Sequence, residues 1–304
     1  MMIDFCAEFL YSTMRLFFCH SKFATLKTHY EKNTLPLYYS AFFLTGCTIN
    51  LFSGKKESKE TNTTTFAVIG DNEGINSEYT RLFGQIAKDP DVAFVLHVGD
   101  LVANGGKAEI DELVTFQQTF NLRVPFYAIP GNHDTYDDPD QTAFMEAFGT
   151  IPRSIDFKQI HLVLLDNAER KVGFSDTELD WLEKDLQSAN GKKIILAYHR
   201  PFNYPLAATL GDDETKTSRA SNEIFQTIIS KYDITAIFNG HIHTYLEFPF
   251  IIHDNTNTNH SIPDYISGGG GQPPQDIFAS IFSADYHWLK VTVNDDGLIV
   301  TPMR

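Results

Sequence analysis

The chain has 304 residues, a formal net charge of −15, an isoelectric point near 5.1 and a mean hydropathy of −0.21. That length fits one large α/β domain or two small domains. The acidic excess argues against nucleic acid as the main partner, because a basic patch is the usual footprint of such binding. All three cysteines lie within the first 47 residues, which excludes a disulfide framework, a cysteine nucleophile and a zinc–thiolate site from the remainder.

Residues 1–47 are interpreted as a signal peptide. Three lysines precede an apolar run over residues 35–44, which is shorter than the roughly 20 residues of a membrane span but suits a signal-peptide core. The run ends in Leu44-Thr45-Gly46-Cys47, which resembles the lipobox of bacterial lipoproteins. We therefore expect a lipid on Cys47 and a lipid-anchored location in the bacterial cell envelope, on the periplasmic or extracellular face. The alternative is a short buried segment with a chance cysteine.

Residues 48–65 are predicted to be a flexible tether, since the stretch from residue 53 is polar and has no apolar period. From residue 66 to residue 243, predicted strands and helices alternate, which favours a layered α/β sheet. The predicted strands cover residues 66–69, 92–98, 124–129, 160–165, 194–198 and 234–238. The predicted helices carry apolar stripes over residues 79–86, 110–116, 179–186 and 224–229.

The strongest helix prediction covers residues 175–189. Ser175 and Glu178 have the spacing of a capping box, and leucines recur along one face. Beyond Glu247 the pattern predicts antiparallel strands that form a second sheet, with an irregular turn at residues 268–271.

Polar side chains follow five of the predicted strands at the points where they end. These residues are Asp71, Asp100, Asn132 with His133, His199, and His241 with His243. Because ligands bind outside the carboxyl ends of strands in such sheets, we expect these side chains to lie together. Carboxylates, an amide oxygen and imidazoles suit manganese, iron or zinc, and a shared carboxylate permits the two-metal arrangement used to hydrolyse phosphate esters.

Each of these residues also has a simpler interpretation. Asp71 and Asp100 fit helix N-caps after a glycine turn, and His133 fits a turn residue. His97 is expected to be a buried histidine inside a strand, and His287 a histidine within the sheet.

The order of Gly70-Asp71, Gly99-Asp100, Gly131-Asn132-His133-Asp134, His199 and Gly240-His241-Ile242-His243 resembles the calcineurin-like metallophosphoesterases over residues 66–304. His199-Arg200-Pro201 and the glycines at 70 and 74 are most similar to the purple-acid-phosphatase-like branch. The resemblance implies a four-layer α/β/β/α sandwich of two mixed sheets flanked by helices, and two divalent metal ions (manganese, iron or zinc).

By the same resemblance, Asp100 bridges the two metals and His133 lies near the leaving group, oriented by Asp134. The remaining ligands fall into two sets, Asp71 with His243, and Asn132 with His199 and His241. The implied activity is hydrolysis of a phosphate ester by a hydroxide that the dinuclear centre activates. The alternatives are a phosphodiesterase or nucleotide hydrolase of the same fold, and a lipid-anchored binding protein with a degenerate metal site.

The chain departs from the family pattern at two positions. Many relatives have a histidine two residues after the first aspartate, where this chain has Glu73. Purple acid phosphatases have a tyrosine three residues after the bridging aspartate, where this chain has Ala103. Glu73 is therefore either an oxygen ligand or a residue that faces solvent.

Overall fold

A computed structural model of the protein describes residues 62–189, 191–202, 215–253, 259–274 and 285–304. These described residues all belong to one compact unit. The predicted signal peptide and residues 48–61 of the predicted tether lie outside the described residues. None of the helices in the described ranges is long and apolar enough to cross a membrane.

The described residues form two mixed β-sheets with helices on their outer faces, as the sequence predicted. The strands are β1 (Thr64–Ile69), β2 (Val92–His97), β3 (Phe126–Ala128), β4 (Arg153–Phe157), β5 (Ile160–Leu164), β6 (Lys193–Ala197), β7 (Ile234–Asn239), β8 (Tyr245–His253), β9 (Asn259–Ser267), β10 (Trp288–Asn294) and β11 (Gly297–Met303). The helices are α1 (Ser77–Lys88), α2 (Lys107–Gln118), α3 (Thr142–Phe148), α4 (Asp176–Leu186) and α5 (Lys216–Ile229). A short 3₁₀ turn covers His133–Thr135.

The first sheet has the strand order β11-β10-β1-β2-β3, and the second has the order β4-β5-β6-β7-β9-β8. β1, β2 and β3 run parallel, as do β5, β6, β7 and β9. The carboxyl ends of the parallel strands therefore gather along one edge of each sheet.

Three apolar cores separate the layers. The middle core lies between the sheets and contains alternate residues of their strands, such as Phe66, Phe94 and Phe238. The core on the outer face of the first sheet includes Leu82 of α1 and Leu113 of α2. The core on the outer face of the second sheet receives α4 and α5. Because β1, β2, β5, β6 and β7 bury both faces, these strands read as continuous apolar runs.

The C-terminal strands differ from the prediction. We expected a separate second sheet, but β8 and β9 join the second sheet and β10 and β11 join the first. The pairings β8–β9, β10–β11 and β1–β10 are antiparallel as expected, whereas β9 runs parallel to β7. Residue alternation fixes that a segment is a strand, but it does not fix which neighbour that strand pairs with.

Several boundaries also differ. β1 begins at Thr64, so the last two residues of the predicted tether belong to the sheet; the Thr65 hydroxyl lies 3.0 Å from that of Thr292. Ser175 caps α4 by accepting a hydrogen bond from the Glu178 amide. The Glu178 carboxylate instead accepts a 2.6 Å hydrogen bond from the Asp166 amide, so the reciprocal half of the predicted capping box is not made with Ser175.

Candidate metal centre

The residues predicted at the strand ends all lie on loops that follow β1, β2, β3, β6 and β7. Three of them, Asp71, Asp100 and His241, have left-handed backbones with φ of 61°, 53° and 70°. This conformation is uncommon for residues other than glycine and carries strain that tends to be retained at functional sites. These left-handed residues turn their loops sharply at the point where the side chains of the three residues face one another.

Asp100 lies at the middle of the cluster and is almost fully buried. Its Oδ1 accepts a 2.8 Å hydrogen bond from the His133 amide, and its Oδ2 lies 3.2 Å from His199 Nε2. Burial alone would raise the pKa of Asp100, but the neighbouring His199 outweighs that effect and holds the pKa well below its usual range. Asp100 is therefore ionised, and its two oxygens contact the loops that carry His133 and His199.

His199 is fully buried and its ring orientation is fixed from behind. Nδ1 donates a 2.8 Å hydrogen bond to the Val98 carbonyl, which leaves Nε2 directed at Asp100 and at the Asn132 Oδ1 atom 3.3 Å away. Burial lowers the pKa of His199, but the charge of Asp100 more than compensates and raises it to about 9. The surrounding carboxylates thus favour positive charge at this point.

Asp71 supplies a buried carboxylate from the first sheet. Oδ1 accepts a 2.6 Å hydrogen bond from the His241 amide, and His243 Nε2 lies 3.8 Å from the same oxygen. Oδ2 is buried and has no hydrogen-bond partner. Burial raises the pKa of Asp71 well above its usual value. A buried carboxylate oxygen without a partner is costly, and a bound cation would satisfy it.

Among the described residues, two groups of side chains place their ligand atoms within 4.8 Å of one another, and both groups include Asp100. One consists of Asp100, His199 and His241, and the other of Glu73, Asp100 and His133. Oxygen and imidazole nitrogen donors of this kind fit a divalent transition metal.

Two glycines allow this close approach. A Cβ atom at Gly131 would lie 2.2 Å from Asp100 Oδ1, and one at Gly240 would lie 2.5 Å from Asp71 Oδ2. Real Cβ atoms do not approach so closely, so any other residue would push the carboxylates apart. The glycines that precede Asn132 and His241 are therefore required by the site itself.

Glu73 faces the site, which rules out the solvent-facing alternative. Its side chain is 16% exposed, and Oε1 lies 3.5 Å from both His133 Nε2 and His243 Nε2. The Glu73 amide donates a 2.9 Å hydrogen bond to the Asp100 carbonyl, which ties its loop to that of the central aspartate. Burial raises the pKa of Glu73, and His133 partly opposes this shift.

His133 reaches the cluster, but the structure contradicts the expectation that Asp134 orients it directly. His133 Nδ1 lies 3.0 Å from the Ala103 carbonyl. Asp134 is buried and accepts hydrogen bonds from the backbone amides of Leu101, Val102 and Gly131 at 2.8–3.0 Å. Asp134 therefore joins the Asp100 loop to the Asn132 loop. The sequence spacing could not reveal this, because two of the three partners are backbone amides of another loop.

Two further side chains at the site were not predicted. Arg200 Nη1 lies 3.3 Å from Asn132 Oδ1, and Asn132 Nδ2 donates a 3.1 Å hydrogen bond to the Tyr136 hydroxyl. The tyrosine contact fixes the Asn132 amide with its oxygen toward His199. The place of Arg200 directly after His199 was the available signal, and nothing in the sequence pattern distinguished Tyr136.

The predicted buried histidines were also located. His97 is fully buried, and its Nε2 lies 2.7 Å from the Asn72 side-chain oxygen. Burial lowers the pKa of His97 to about 3, so the ring is neutral. His287 is buried directly before β10 rather than within the strand, and its Nδ1 lies 2.8 Å from the Asp285 carbonyl.

Comparison with known proteins gives a family match that covers most of the segment in which strands and helices alternate. The family model described as calcineurin-like phosphoesterase matches residues 64–245. A probable glycerophosphodiester phosphodiesterase of Arcobacter nitrofigilis is 28% identical over 163 residues, covering 51% of this chain and 58% of that protein. Purple acid phosphatase 21 of Arabidopsis thaliana is 26% identical over 225 residues, covering 68% of this chain and 49% of that protein. The chain thus spans about half the length of the curated relatives it matches.

Among solved structures, PhoD superposes on this chain with a TM-score of 0.56 at 11% sequence identity. The match covers 79% of this chain and 68% of that one. At such low identity the similarity concerns the fold alone. It agrees with the two sheets and their flanking helices.

Proposed function

Because this chain belongs to the calcineurin-like phosphoesterase family, we propose that it is a metal-dependent hydrolase of phosphate esters. The observation that carries this proposal is the convergence of acidic and imidazole side chains from both sheets on Asp100. These residues are typical ligands of manganese, iron or zinc, and they include a buried carboxylate oxygen that lacks a partner.

We assign a bridging role to Asp100, because its carboxylate lies within 4.8 Å of ligand atoms of His199 and His241 and also of Glu73. Asn132, His199 and His241 would hold one ion with it, and Asp71 and His243 would hold the other. Glu73 joins the second set by its contact with His243. When bound, two ions of this kind activate water at neutral pH and neutralise charge on the phosphoryl oxygens.

His133 is the proposed proton donor to the leaving group. The contact between its Nδ1 and the Ala103 carbonyl directs Nε2 into the site, where a proton can be transferred to the leaving oxygen. Asp134 acts at a distance, by holding the loops of Asp100 and Asn132 in place through backbone hydrogen bonds.

A phosphodiester is the second candidate substrate class, favoured by the similarity to the Arcobacter protein. The residues that surround the metal centre fix the reacting phosphorus but not the second ester group. Turnover of an aryl phosphate monoester and of the matching diester therefore distinguishes these two activities.

The test compares metal-loaded and chelator-treated protein on both aryl esters. We expect turnover of at least one ester, loss of turnover after chelation, and recovery with manganese, iron or zinc. Metal-loaded protein that cleaves neither ester would support the alternative of a lipid-anchored binding protein with a degenerate site.

Attachment to a membrane through a lipid on Cys47 is a separate proposal, which rests on the apolar run and the Leu44-Thr45-Gly46-Cys47 motif. Lipidation there would place the catalytic unit on the cell envelope. The Cys47→Ser variant should lose the lipid mass and leave the membrane fraction. Unchanged mass and fractionation would contradict the proposal.

A further inference from the structure

We propose that the exposed ring of Tyr136 binds the leaving group of the substrate by stacking against an aromatic ring that this group carries. The inference rests on the proposed function, because the role of His133 as proton donor defines the leaving-group side of the site. It restricts the preferred substrates to phosphate esters with an aromatic leaving group.

Tyr136 combines an aromatic ring with high exposure. The residue is 56% exposed, and among the residues that the structure describes no other phenylalanine, tyrosine or tryptophan is exposed. The other large apolar residues in this exposed class are aliphatic: Ile75, Val172, Ile224 and Ile299. Single exposed apolar side chains are common on protein surfaces. What distinguishes Tyr136 is therefore its place at the metal centre and the contacts that fix its ring.

Two neighbouring side chains fix the ring. The Tyr136 hydroxyl accepts a 3.1 Å hydrogen bond from Asn132 Nδ2. The ring centroid lies 4.9 Å from that of the His133 imidazole, with an angle of 55° between the two planes. Both contacts are made across one helical turn, in which residues three and four apart lie on the same side. The ring is thus held against the site while more than half of the residue stays open to solvent.

The backbone that carries Tyr136 is anchored to the loop that follows β2. The Asp137 amide donates a 2.7 Å hydrogen bond to the Asn104 carbonyl. Gly105 packs so closely that a Cβ atom there would lie 2.0 Å from the Asp134 carbonyl oxygen. A tyrosine side chain has few torsions to fix, and holding it in place in advance reduces the entropy lost when a ligand binds.

The ring lies beside the group to which we assign proton donation. His133 Nδ1 lies 3.0 Å from the Ala103 carbonyl, and Nε2 lies in the site, 3.5 Å from Glu73 Oε1. To receive the proton, the leaving oxygen must come within hydrogen-bond distance of Nε2, and the first carbon of the leaving group is bonded to that oxygen. A leaving group in that place lies next to the Tyr136 ring.

A tyrosine ring favours another aromatic ring as its partner. Offset-stacked and edge-to-face pairs, with centroids roughly 4.5–7 Å apart, gain attraction beyond the burial of apolar area. A saturated ring of the same size gains the burial alone. Quaternary ammonium groups are recognised by cages of several aromatic side chains, whereas Tyr136 is a single exposed ring among the described residues. The geometry therefore favours an aromatic leaving group over an aliphatic or cationic one.

The experiment measures binding of non-hydrolysable phosphonates to the metal-loaded full chain by titration calorimetry. Benzylphosphonate is compared with cyclohexylmethylphosphonate, which has the same number of carbon atoms but a saturated ring, and with methylphosphonate. The proteins are wild type, Tyr136→Leu, Tyr136→Phe and Tyr232→Leu. The quantity compared is the ratio of the benzyl to the cyclohexylmethyl affinity on each protein, so a general change in metal binding cancels.

Two of these variants are controls. Tyr136→Phe loses the hydroxyl that contacts Asn132, as Tyr136→Leu does, but it keeps the aromatic ring. Tyr232 is a half-buried tyrosine whose hydroxyl donates a 3.2 Å hydrogen bond to the Glu183 carbonyl. It lies just before β7, at the opposite end of that strand from His241. Tyr232→Leu therefore removes a tyrosine ring and one hydrogen bond far from the metal centre.

For wild type we expect benzylphosphonate to bind about 2- to 12-fold more tightly than cyclohexylmethylphosphonate, the contribution of one aromatic pair. Burial alone would favour the saturated ring, which has the larger apolar surface. Tyr136→Leu should lower the ratio to one or less, whereas Tyr136→Phe and Tyr232→Leu should keep the wild-type ratio. Methylphosphonate should bind to all four proteins with a smaller difference between them.

Several results would overturn the inference and leave the proposed function standing. Equal binding of the two ring-bearing phosphonates to the wild type would show that the site has no aromatic preference. A wild-type ratio in Tyr136→Leu would assign the preference to other residues. A ratio lost as fully in Tyr136→Phe or Tyr232→Leu would show that the ring of Tyr136 is not its source. If no phosphonate binds to the metal-loaded wild type, the proposed function fails and the inference fails with it.

Discussion

The Oε1 atom of Glu73 lies 3.5 Å from the Nε2 atom of His243, and the Oδ1 atom of Asp71 lies 3.8 Å from the same nitrogen. Glu73 thus stands where many relatives have a histidine. Its carboxylate supplies a hard oxygen donor in place of an imidazole nitrogen. The contact links the departure from the family pattern to one half of the proposed metal centre.

We predict that Glu73→Gln weakens the ion held with Asp71 and His243 and lowers turnover, because a neutral amide is a poorer ligand than a carboxylate. Glu73→His should shift preference toward zinc and iron, which imidazole suits. Metal stoichiometry of the wild type and both variants checks this. If all three proteins bind two ions with equal affinity, Glu73 does not ligate a metal.

His133 is expected to affect the reaction more than metal binding. His133→Gln should slow turnover by roughly 10²–10⁴-fold, the usual contribution of a general acid. The loss should shrink for aryl esters whose leaving group needs no proton. The measurement compares the turnover rates of the wild type and His133→Gln across a series of leaving groups, with metal content as the control. An equal loss for every leaving group would argue against proton donation.

A buried histidine away from the site should make stability depend on pH. His161 lies between Asp185 and Asp156, with Nε2 2.9 Å from Asp185 Oδ2 and Nδ1 2.7 Å from Asp156 Oδ1. The hydrogen bonds to Asp185 and then Asp156 raise the pKa of His161, although burial opposes the shift. Lys192 and Ser154 are the other polar partners of these two carboxylates.

The sign of the effect follows from the raised pKa. Protonated His161 stabilises the folded state fully below the unfolded pKa of about 6.5, and this contribution is lost as pH rises through the folded pKa. The free energy of unfolding should therefore decrease from pH ~6 to pH ~9 more in the wild type than in His161→Gln. Urea unfolding at several pH values measures this free energy in both proteins. Parallel pH profiles would show that His161 contributes no such coupling.

The sequence predicted the strand-end residues of the site because short apolar runs and glycine turns are local signals. Asp71, Asp100 and His241 could be assigned to strand ends without any knowledge of which strands were neighbours. The sequence analysis did not predict α3 and β4, because α3 has only seven residues and β4 has no fully buried residue to give an apolar period.

The sequence pattern could not predict contacts between loops that are distant in the chain. The roles of Asp134 and Arg200 depend on backbone amides and an amide side chain supplied by other loops. Pairing of β2 with β3 within the first sheet brings Asp134 to its partners, and the packing of the two sheets brings Arg200 to Asn132. For the same reason, Glu178 was assigned to a local cap although its carboxylate accepts a hydrogen bond from Asp166, twelve residues away.

The most direct test of a shared metal centre is the metal content of the wild type and Asp100→Asn, measured together with turnover of an aryl phosphate. The Asp100 carboxylate lies within 4.8 Å of ligand atoms assigned to both ions, those of His199 and His241 and that of Glu73, so replacing it should weaken both ions at once. We expect two ions per chain in the wild type, and loss of both ions and of activity in a variant that remains folded by circular dichroism. An Asp100→Asn protein that keeps two ions and near-normal turnover would contradict the bridging role and the proposed mechanism.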